Sequence, residues 1–459
     1  MPHPLRLAPW CLALLVGPLL ASPTTNDTSA RLPMTDPADA LRAADPNTPS
    51  AMVPLAMPAP QRLDTPELPA DLAQARAIWR ELNQQVAQFP RGHIDLLRWE
   101  ARQPGGQPQD AAASVGEPLS PAEALRVSLQ QRPDLFIRPG LSPIEQARVR
   151  AAYAAHVRDL QGAWIDAVAT HAGARASAAA LDAVRTGVEL GRRMVRAGNW
   201  SQARLAQEQR SEATAWRAQS DAALSAQVAL ERLAGLMGIW RADAVQALGQ
   251  QLPTSLPAPP PSLSGSGSPE RDVLQADTVL PIEQAESKRV FDSLPTGRWQ
   301  AWREARDAAL KAMPEPGNAR PEPPRVDDPR MLREAQPLEA DEHRARLLRM
   351  ASERRAAARL AWAQLTVRHA QALHADAVLV QLGEARQQES LLRYNGMLES
   401  TWQLLASARE RGAALDAATQ ARRGYWRAQA AWQALLGGAD FALDAAQSAA
   451  GDSAGNSPH

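Results

Sequence analysis

The chain has 459 residues, with 50 basic and 50 acidic side chains and a formal net charge of zero. That balance excludes nucleic acid as the main partner, which would need a basic face. A single cysteine, Cys11, excludes a disulfide framework. Good helix formers (Ala, Leu, Arg, Gln, Glu) dominate.

In chain order, residues 1–22 read as an export signal. Arg6 supplies the positive end, Leu12 to Leu20 an apolar run interrupted by Gly17 and Pro18, and Ala21-Ser22 the small residues of a cleavage region. The apolar run is too short for a permanent bilayer span. Pro9 and Trp10 before Cys11 do not make a lipid-attachment motif. Residues 23–70 are rich in Pro, Thr, Asp and Ala without period and predict an extended, disordered leader.

A first helical region is expected over 71–251. Helical pattern starts near Asp71 and runs to about Arg102, and a Gly/Pro/Gln-rich break follows from Pro104 to Pro118. In the next helix Ser120 is the N-cap, Pro121 takes the first helical position and Glu123 completes a capping box; Pro133 ends it. From Ser142 to Trp240 the only proline is Pro143, at the start, so the stretch must be long helix. Its apolar seam steps by three and four through Leu181, Val184, Val188, Gly191 and Val195, and again through Ala223, Ala226, Leu230, Leu233 and Met237. Ala197-Gly198-Asn199-Trp200 breaks it. Gly198 suits the left-handed position after a helix and Ser201 caps the next one, which gives an antiparallel hairpin turning on Gly198 and Asn199.

Residues 252–337 read as a Pro-rich linker with short helices over 270–292 and 298–312. A second helical region is expected over 338–437, where proline is again absent. Its seam runs Leu415, Ala418, Arg422, Tyr425, Gln429, Trp432 and Leu436, and its turn is placed at Tyr394, Asn395 and Gly396. Residues 438–459, small and polar, predict a frayed tail.

The two regions repeat each other. RAGNWSQARLAQEQ begins at Arg196 and RYNGMLESTWQLLASARE at Arg393. Each places a glycine two or three residues after an arginine and then a helix of about forty residues, closing in ALERLAGLMG (Ala229 to Gly238) and AQAAWQALLGG (Ala428 to Gly438). The fold class predicted is all-α: two pseudo-repeated halves of long antiparallel helical hairpins with coiled-coil packing.

These segments, with LSPAEALRVSLQQRPDL (Leu119 to Leu135) and LLRYNGMLESTWQLLASARE (Leu391 to Glu410), resemble the TolC family of outer-membrane efflux proteins over about residues 117–240 and 338–437. The resemblance implies a homotrimer, an outer-membrane barrel shared between protomers, a periplasmic helical duct, and export of small molecules with an inner-membrane pump and a periplasmic adaptor protein. It also implies an exported protein of the outer membrane or periplasm of a Gram-negative bacterium. One departure is plain. The family inserts a β-hairpin before each long helix, and a membrane strand needs about ten alternating residues. Here the first gap is only Arg132 to Pro143 and the second, Ala312 to Pro337, is rich in prolines and charges. The membrane hairpins are therefore absent or vestigial. That favours an alternative: a soluble periplasmic coiled-coil scaffold or partner protein that has lost the barrel.

No catalytic, cofactor-binding or metal-ligating residue is assigned, and no enzyme activity is expected. Phosphate-loop, nucleophile-elbow and zinc-helix motifs are missing. His369 and His374, the one close histidine pair, lie about 140° apart on a helix and read as seam or solvated side chains. Trp164, Trp200, Trp216, Trp362, Trp402, Trp426 and Trp432 read as helix–helix packing.

Overall fold

The computed structural model describes residues 118–263, 268–313, 322–329 and 335–441, together with scattered positions between 71 and 84. The expected signal, leader and all but the first four residues of the tail fall outside these, as does most of the helix expected from Asp71. At its start, Asp71 accepts hydrogen bonds from the backbone N–H of Ala73 and Gln74 at 2.8 and 2.7 Å, as an N-cap does.

Among the described residues the structure is helical and contains no strand. Helix α1 (Pro121–Leu129) carries the Ser120–Glu123 capping box with Pro121 in its first turn. A 3₁₀ turn at Pro133–Leu135 follows. Helix α2 (Pro143–Arg196) is opened by a second box, Ser142–Glu145, and runs 54 residues without a break, about 80 Å at 1.5 Å per residue. Helices α3 (Gln202–Met237) and α4 (Ala242–Gln250) come next. Residues 252–263 form a non-helical strap.

The expected helix over 270–292 is two: α5 (Pro269–Ala276) and α6 (Leu280–Asp292). Asp277 separates them, because its carboxylate accepts from the N–H groups of Val279 and Leu280 and so starts a new helix, with Pro281 in the first turn. Helix α7 spans Thr296–Lys311. Helix α8 (Ala335–His374) begins before Leu338, since Pro337 is tolerated in a first turn, where no intrahelical donor is needed. It continues through a π-helical turn at Ala375–Val380 into α9 (Gln381–Asn395), and α10 (Thr401–Leu436) returns antiparallel.

The long helices form one layer in the order α3, α2, α10, α8–α9. Helix α2 packs on both α3 and α10, and α10 packs on both α2 and α8–α9; α3 and α8–α9 share no extensive contact. Helices α5 and α6 lie on α8. This arrangement explains which seam residues are buried. Leu181, Val184, Val188 and Val195 of the inner helix α2 are enclosed, whereas Ala223, Ala226 and Leu230 of the edge helix α3 are only half-buried.

One apolar core gathers α1, the middle of α2 (Leu160 to Ala169), the end of α3, α4 and the strap residues Leu252 and Leu256. A second joins Val273 of α5 to α8 (Ala357 to Ala372) and α10 (Tyr425 to Leu435). The strap is therefore no free linker. Leu256 is buried in the core, and Arg175, Trp426 and His369 each donate or turn a ring nitrogen to its carbonyls at Thr254, Pro257 and Pro260. Trp164 is likewise fixed, its indole N–H donating to Leu119 O at 3.1 Å. No single described helix is long and apolar enough to cross a membrane.

Both hairpins turn through the same hydrogen-bond pattern. In the first, Asn199 N–H reaches Met194 O and Gly198 N–H reaches Val195 O, with Gly198 at φ +77°. In the second, Leu398 N–H reaches Arg393 O and Met397 N–H reaches Tyr394 O, with Met397 at φ +60°. The left-handed position thus falls on Met397, one residue beyond the turn expected at Tyr394, Asn395 and Gly396; Gly396 itself has φ −81°. Tyr394 and Asn395 are the last residues of α9. Left-handed backbone brings Cβ against the carbonyl oxygen in any residue but glycine. Gly198→Val should therefore cost about 1–2 kcal/mol in chemical unfolding, although no side chain lies in the way of the new Cβ. Met397→Gly should stabilise by up to about 1 kcal/mol. A Gly198→Val protein with wild-type stability would show that this turn does not limit unfolding.

Candidate functional site

The features able to act are the two hairpin tips, the contacts between helices and the two outer edges of the layer. Among the described residues, no three His, Cys, Asp or Glu side chains come together in a metal-binding group.

At the first tip, Gly198 and Asn199 lie in the turn and the next residue, Trp200, folds back over α2. Its indole packs on Gly191, where a Cβ would come within 3.1 Å of the ring, and Arg204 stacks above it at 4.2 Å. Trp402, from the first turn of α10, meets Trp200 with ring centroids 4.2 Å apart. The two tips are therefore joined by an aromatic pair within an apolar cluster of Val184, Val188, Val195 and Leu205. Sequence reading recognised both tryptophans as packing residues but not that they pack on each other.

The second tip is polar. Arg393 pairs with Glu389 and Glu399, Arg386 with Glu410 at 2.9 Å, and Arg411 with Glu384 at 3.6 Å. Ser390 donates to Glu399. A groove of about 300 Å³ between α9 and α10 is lined by Arg386, Glu389, Ser390, Arg393, Glu399 and Gln403. Tyr394 is half-buried on its helix and Asn395 and Gly396 are exposed. Beyond them Met397 and Leu398 stand out, 93% and 80% exposed.

Two ionic contacts tie α10 to its neighbours in register, the first of them nearly enclosed. Asp166 of α2, nearly enclosed, accepts from Arg423 at 2.8 Å and from Arg427 at 3.2 Å, so it binds α10. Asp376, in the π-helical turn, pairs with Arg422 of α10 at 2.8 Å. Arg422 stands in the apolar seam of α10, and a charge at a seam position requires a partner across the interface. That signal was in the sequence; the identity of the partner was not.

The outer edges are apolar where they should be solvated. On α3, Leu224 and Val228 are more than half exposed. On α8–α9, Leu360, Val367, Val378, Leu382 and Leu392 are exposed. These steps are heptad-like, seven from Leu360 to Val367 and seven each from Val378 through Ala385 to Leu392, and the second run begins inside the π-helical turn. Each edge presents the kind of stripe that the inner helices bury.

His369 is buried on Tyr425 and turned to Pro260 O at 2.7 Å, while His374 is exposed on another face. His156 is buried beneath α1. Ser128 Oγ donates to Leu125 O, so His156 Nε2–H, 3.0 Å away, is the donor to Ser128 and its Nδ1 faces Arg132. Burial first, and then the Arg132 charge, hold its pKa below the ordinary 6.5. His171 is lowered too, by burial and Arg175.

No family model matches the chain, and no curated protein matches it. Among solved structures it is similar to the outer-membrane channel OprN (15% identity, TM-score 0.45, 80% of this chain and 87% of that one). It is also similar to the outer-membrane protein VceC of Vibrio cholerae (14%, 0.42, 80% and 97%) and to the MtrE outer-membrane channel of Neisseria gonorrhoeae (15%, 0.40, 70% and 72%).

The histidine geometry sets a pH dependence. A neutral buried imidazole contributes stability that is whole above pH 6.5 and is lost as pH falls below it toward the lowered folded value. Chemical stability should therefore decline between pH 7.5 and pH 5.5, a window in which the lowered carboxyl groups, ordinarily at 3.8 to 4.5, do not titrate. His156→Gln should flatten the decline, and an unchanged slope would assign it elsewhere.

Proposed function

We propose that this chain is a TolC-like efflux component, an exported protein whose helices contribute to a periplasmic duct for small molecules at the outer membrane of a Gram-negative bacterium. The observation that carries the reading is the open layer α3, α2, α10, α8–α9. Its inner helices pack on a neighbour on both sides, and its two edge helices each expose apolar side chains with no neighbouring long helix among the described residues. Copies of such a layer joined edge to edge close into a ring around a central space. A homotrimer is the closure the sequence resemblance implies. Transport through such a ring needs shape and a charged lining and no covalent chemistry.

The two tips differ in a way that suits a docking end. One is tied down by Trp200 and Trp402, and the other presents Met397 and Leu398 beside an Arg/Glu groove. We assign to this end the contacts with a periplasmic adaptor protein and, through it, an inner-membrane pump.

A second reading, a soluble periplasmic coiled-coil scaffold that has lost the barrel, is favoured by one observation. The connection from α1 to α2 is a 3₁₀ turn and a loop with no strand, so this link supplies no membrane hairpin.

Fractionation separates the two. The duct reading expects a detergent-extracted oligomer from the outer membrane that resists heat in denaturing gels. A monomer in the soluble periplasmic fraction would overturn it and leave the scaffold. In the duct, Val228→Glu or Leu382→Glu places a charge in a subunit contact and should shift the oligomer to monomer without loss of helix content. An oligomer indifferent to both substitutions would place the contact on another face.

A further inference from the structure

The loop that joins α1 to α2 carries a feature the duct does not use. Phe136 and Ile137 stand side by side at its apex, 55% and 51% exposed. The loop is held firmly beneath them. Leu135 is buried against α2 in the 3₁₀ turn, Pro133 and Pro139 restrict the backbone on either side, and the Ser142–Glu145 capping box fixes the entry to α2. The result is a short rigid prong at the N-terminal end of an 80 Å-class helix, about as far as α2 allows from the hairpin tip at Gly198.

The charges around the prong have a pattern. Arg132 is neutralised by Asp134 at 2.7 Å. Arg138 and Arg148 are exposed and have no ion-pair partner among the described residues. Both lie near Glu145, whose carboxyl is held below the usual range first by its hydrogen bonds from Ser142 and then by these two guanidinium charges. Two adjacent exposed apolar side chains are therefore accompanied on the same loop and the start of α2 by two exposed cations without an ion pair among the described residues, with the nearby carboxylates engaged in a salt bridge and a helix cap.

From this arrangement we propose that the Phe136–Ile137 prong is a membrane-docking site, which inserts its two side chains into the interfacial zone of a bilayer while Arg138 and Arg148 bind the phosphates of anionic lipids. A convex apex of two residues suits a deformable lipid surface; a stable protein contact needs a patch of roughly 800 Å² on each partner. Exposed apolar side chains beside free guanidinium groups supply both components the interface takes, hydrocarbon inside and headgroup phosphate outside. Met397 and Leu398 are more exposed, but Arg393 beside them is already paired with Glu389 and Glu399, so no free cation accompanies them. The site is independent of pore formation, and it gives a protein without strands in this loop its own means of meeting a membrane.

The test reads the environment of the prong directly. In the full chain with Cys11→Ser, Ile137→Cys carries an environment-sensitive fluorophore, and Met397→Cys carries the same label at the opposite end. With vesicles of phosphatidylcholine and phosphatidylglycerol, the label at 137 should shift to the blue while that at 397 should not. With phosphatidylcholine alone the response at 137 should be lost or much weaker. Arg138→Glu with Arg148→Glu should raise the lipid concentration at half-response by roughly tenfold or more. Phe136→Ser should weaken the response by about the same factor. A label at 137 that stays in water, whether or not the protein sediments with vesicles, would overturn the proposal. So would equal shifts at 137 and 397, or a response untouched by the arginine reversals; blue-shift only on adding a protein partner would transfer the prong to a protein interface. Loss of the trimer in the fractionation above changes none of these outcomes.

Discussion

The contact between α2 and α10 is the constraint on which the rest of the molecule depends. It joins the two pseudo-repeated halves, and each of its helices has a hairpin partner on the other side. Two features make it close and specific. Small residues line one end, where a Cβ on Gly437 would come within 2.5 Å of Ala154 Cβ. Further along, Asp166 is enclosed between Arg423 and Arg427. An enclosed carboxylate adds little net stability even when well paired, but it is costly in any register that leaves it alone. The small residues permit the approach and the ion pair selects the register. Once both are satisfied, α3 and α8–α9 are necessarily the outer edges.

The two hairpins solve the same problem with different chemistry. The first packs its outer part with Val184, Val188, Val195 and Trp200. The second, beyond the π-helical turn, has few buried side chains and is held by Arg386–Glu410, Arg411–Glu384 and Arg393–Glu399. Exposed ion pairs of this kind contribute little each and weaken with salt. The outer part of the second hairpin therefore leans on the first through Trp200 and Trp402, a contact that belongs to neither hairpin alone.

An exposed apolar stripe has a physical meaning only in relation to what surrounds it. On α8–α9 the stripe keeps a heptad step from Leu360 to Val367 and again from Val378 through Ala385 to Leu392. That is the same pattern by which α2 is recognised as an inner helix. The duct reading follows from this identity: the edges are built like interiors. The prong at Phe136 and Ile137 is different in kind, since it is short, convex and accompanied by unpaired arginines, and it is assigned accordingly to a lipid surface.

Much of the fold is determined locally and was legible in the sequence. Ser120 and Ser201 cap helices as expected, because a hydroxyl three residues from an orphan N–H needs no tertiary help; Ser142 and Ser400, not singled out beforehand, cap by the same rule. The absence of proline beyond Pro143 fixes the length of α2, and the repeated Gly-turn segments fix the two-half plan. Where local rules were ambiguous the reading slipped by a residue or merged two elements. The second turn was placed at Tyr394, Asn395 and Gly396, whereas the left-handed residue is Met397, which composition does not mark because it is not a glycine. The strap over 252–263 read as a linker, since its composition gives no hint that Trp426 and His369 wait for its carbonyls. Sequence alone determined the helices, their caps and their duplication, since each rests on interactions within a few residues. Only the tertiary structure decided which helices are inner and which are edges, which arginines meet Asp166 and Asp376, and which apolar side chains remain in water, since those depend on contacts between residues as much as 282 positions apart.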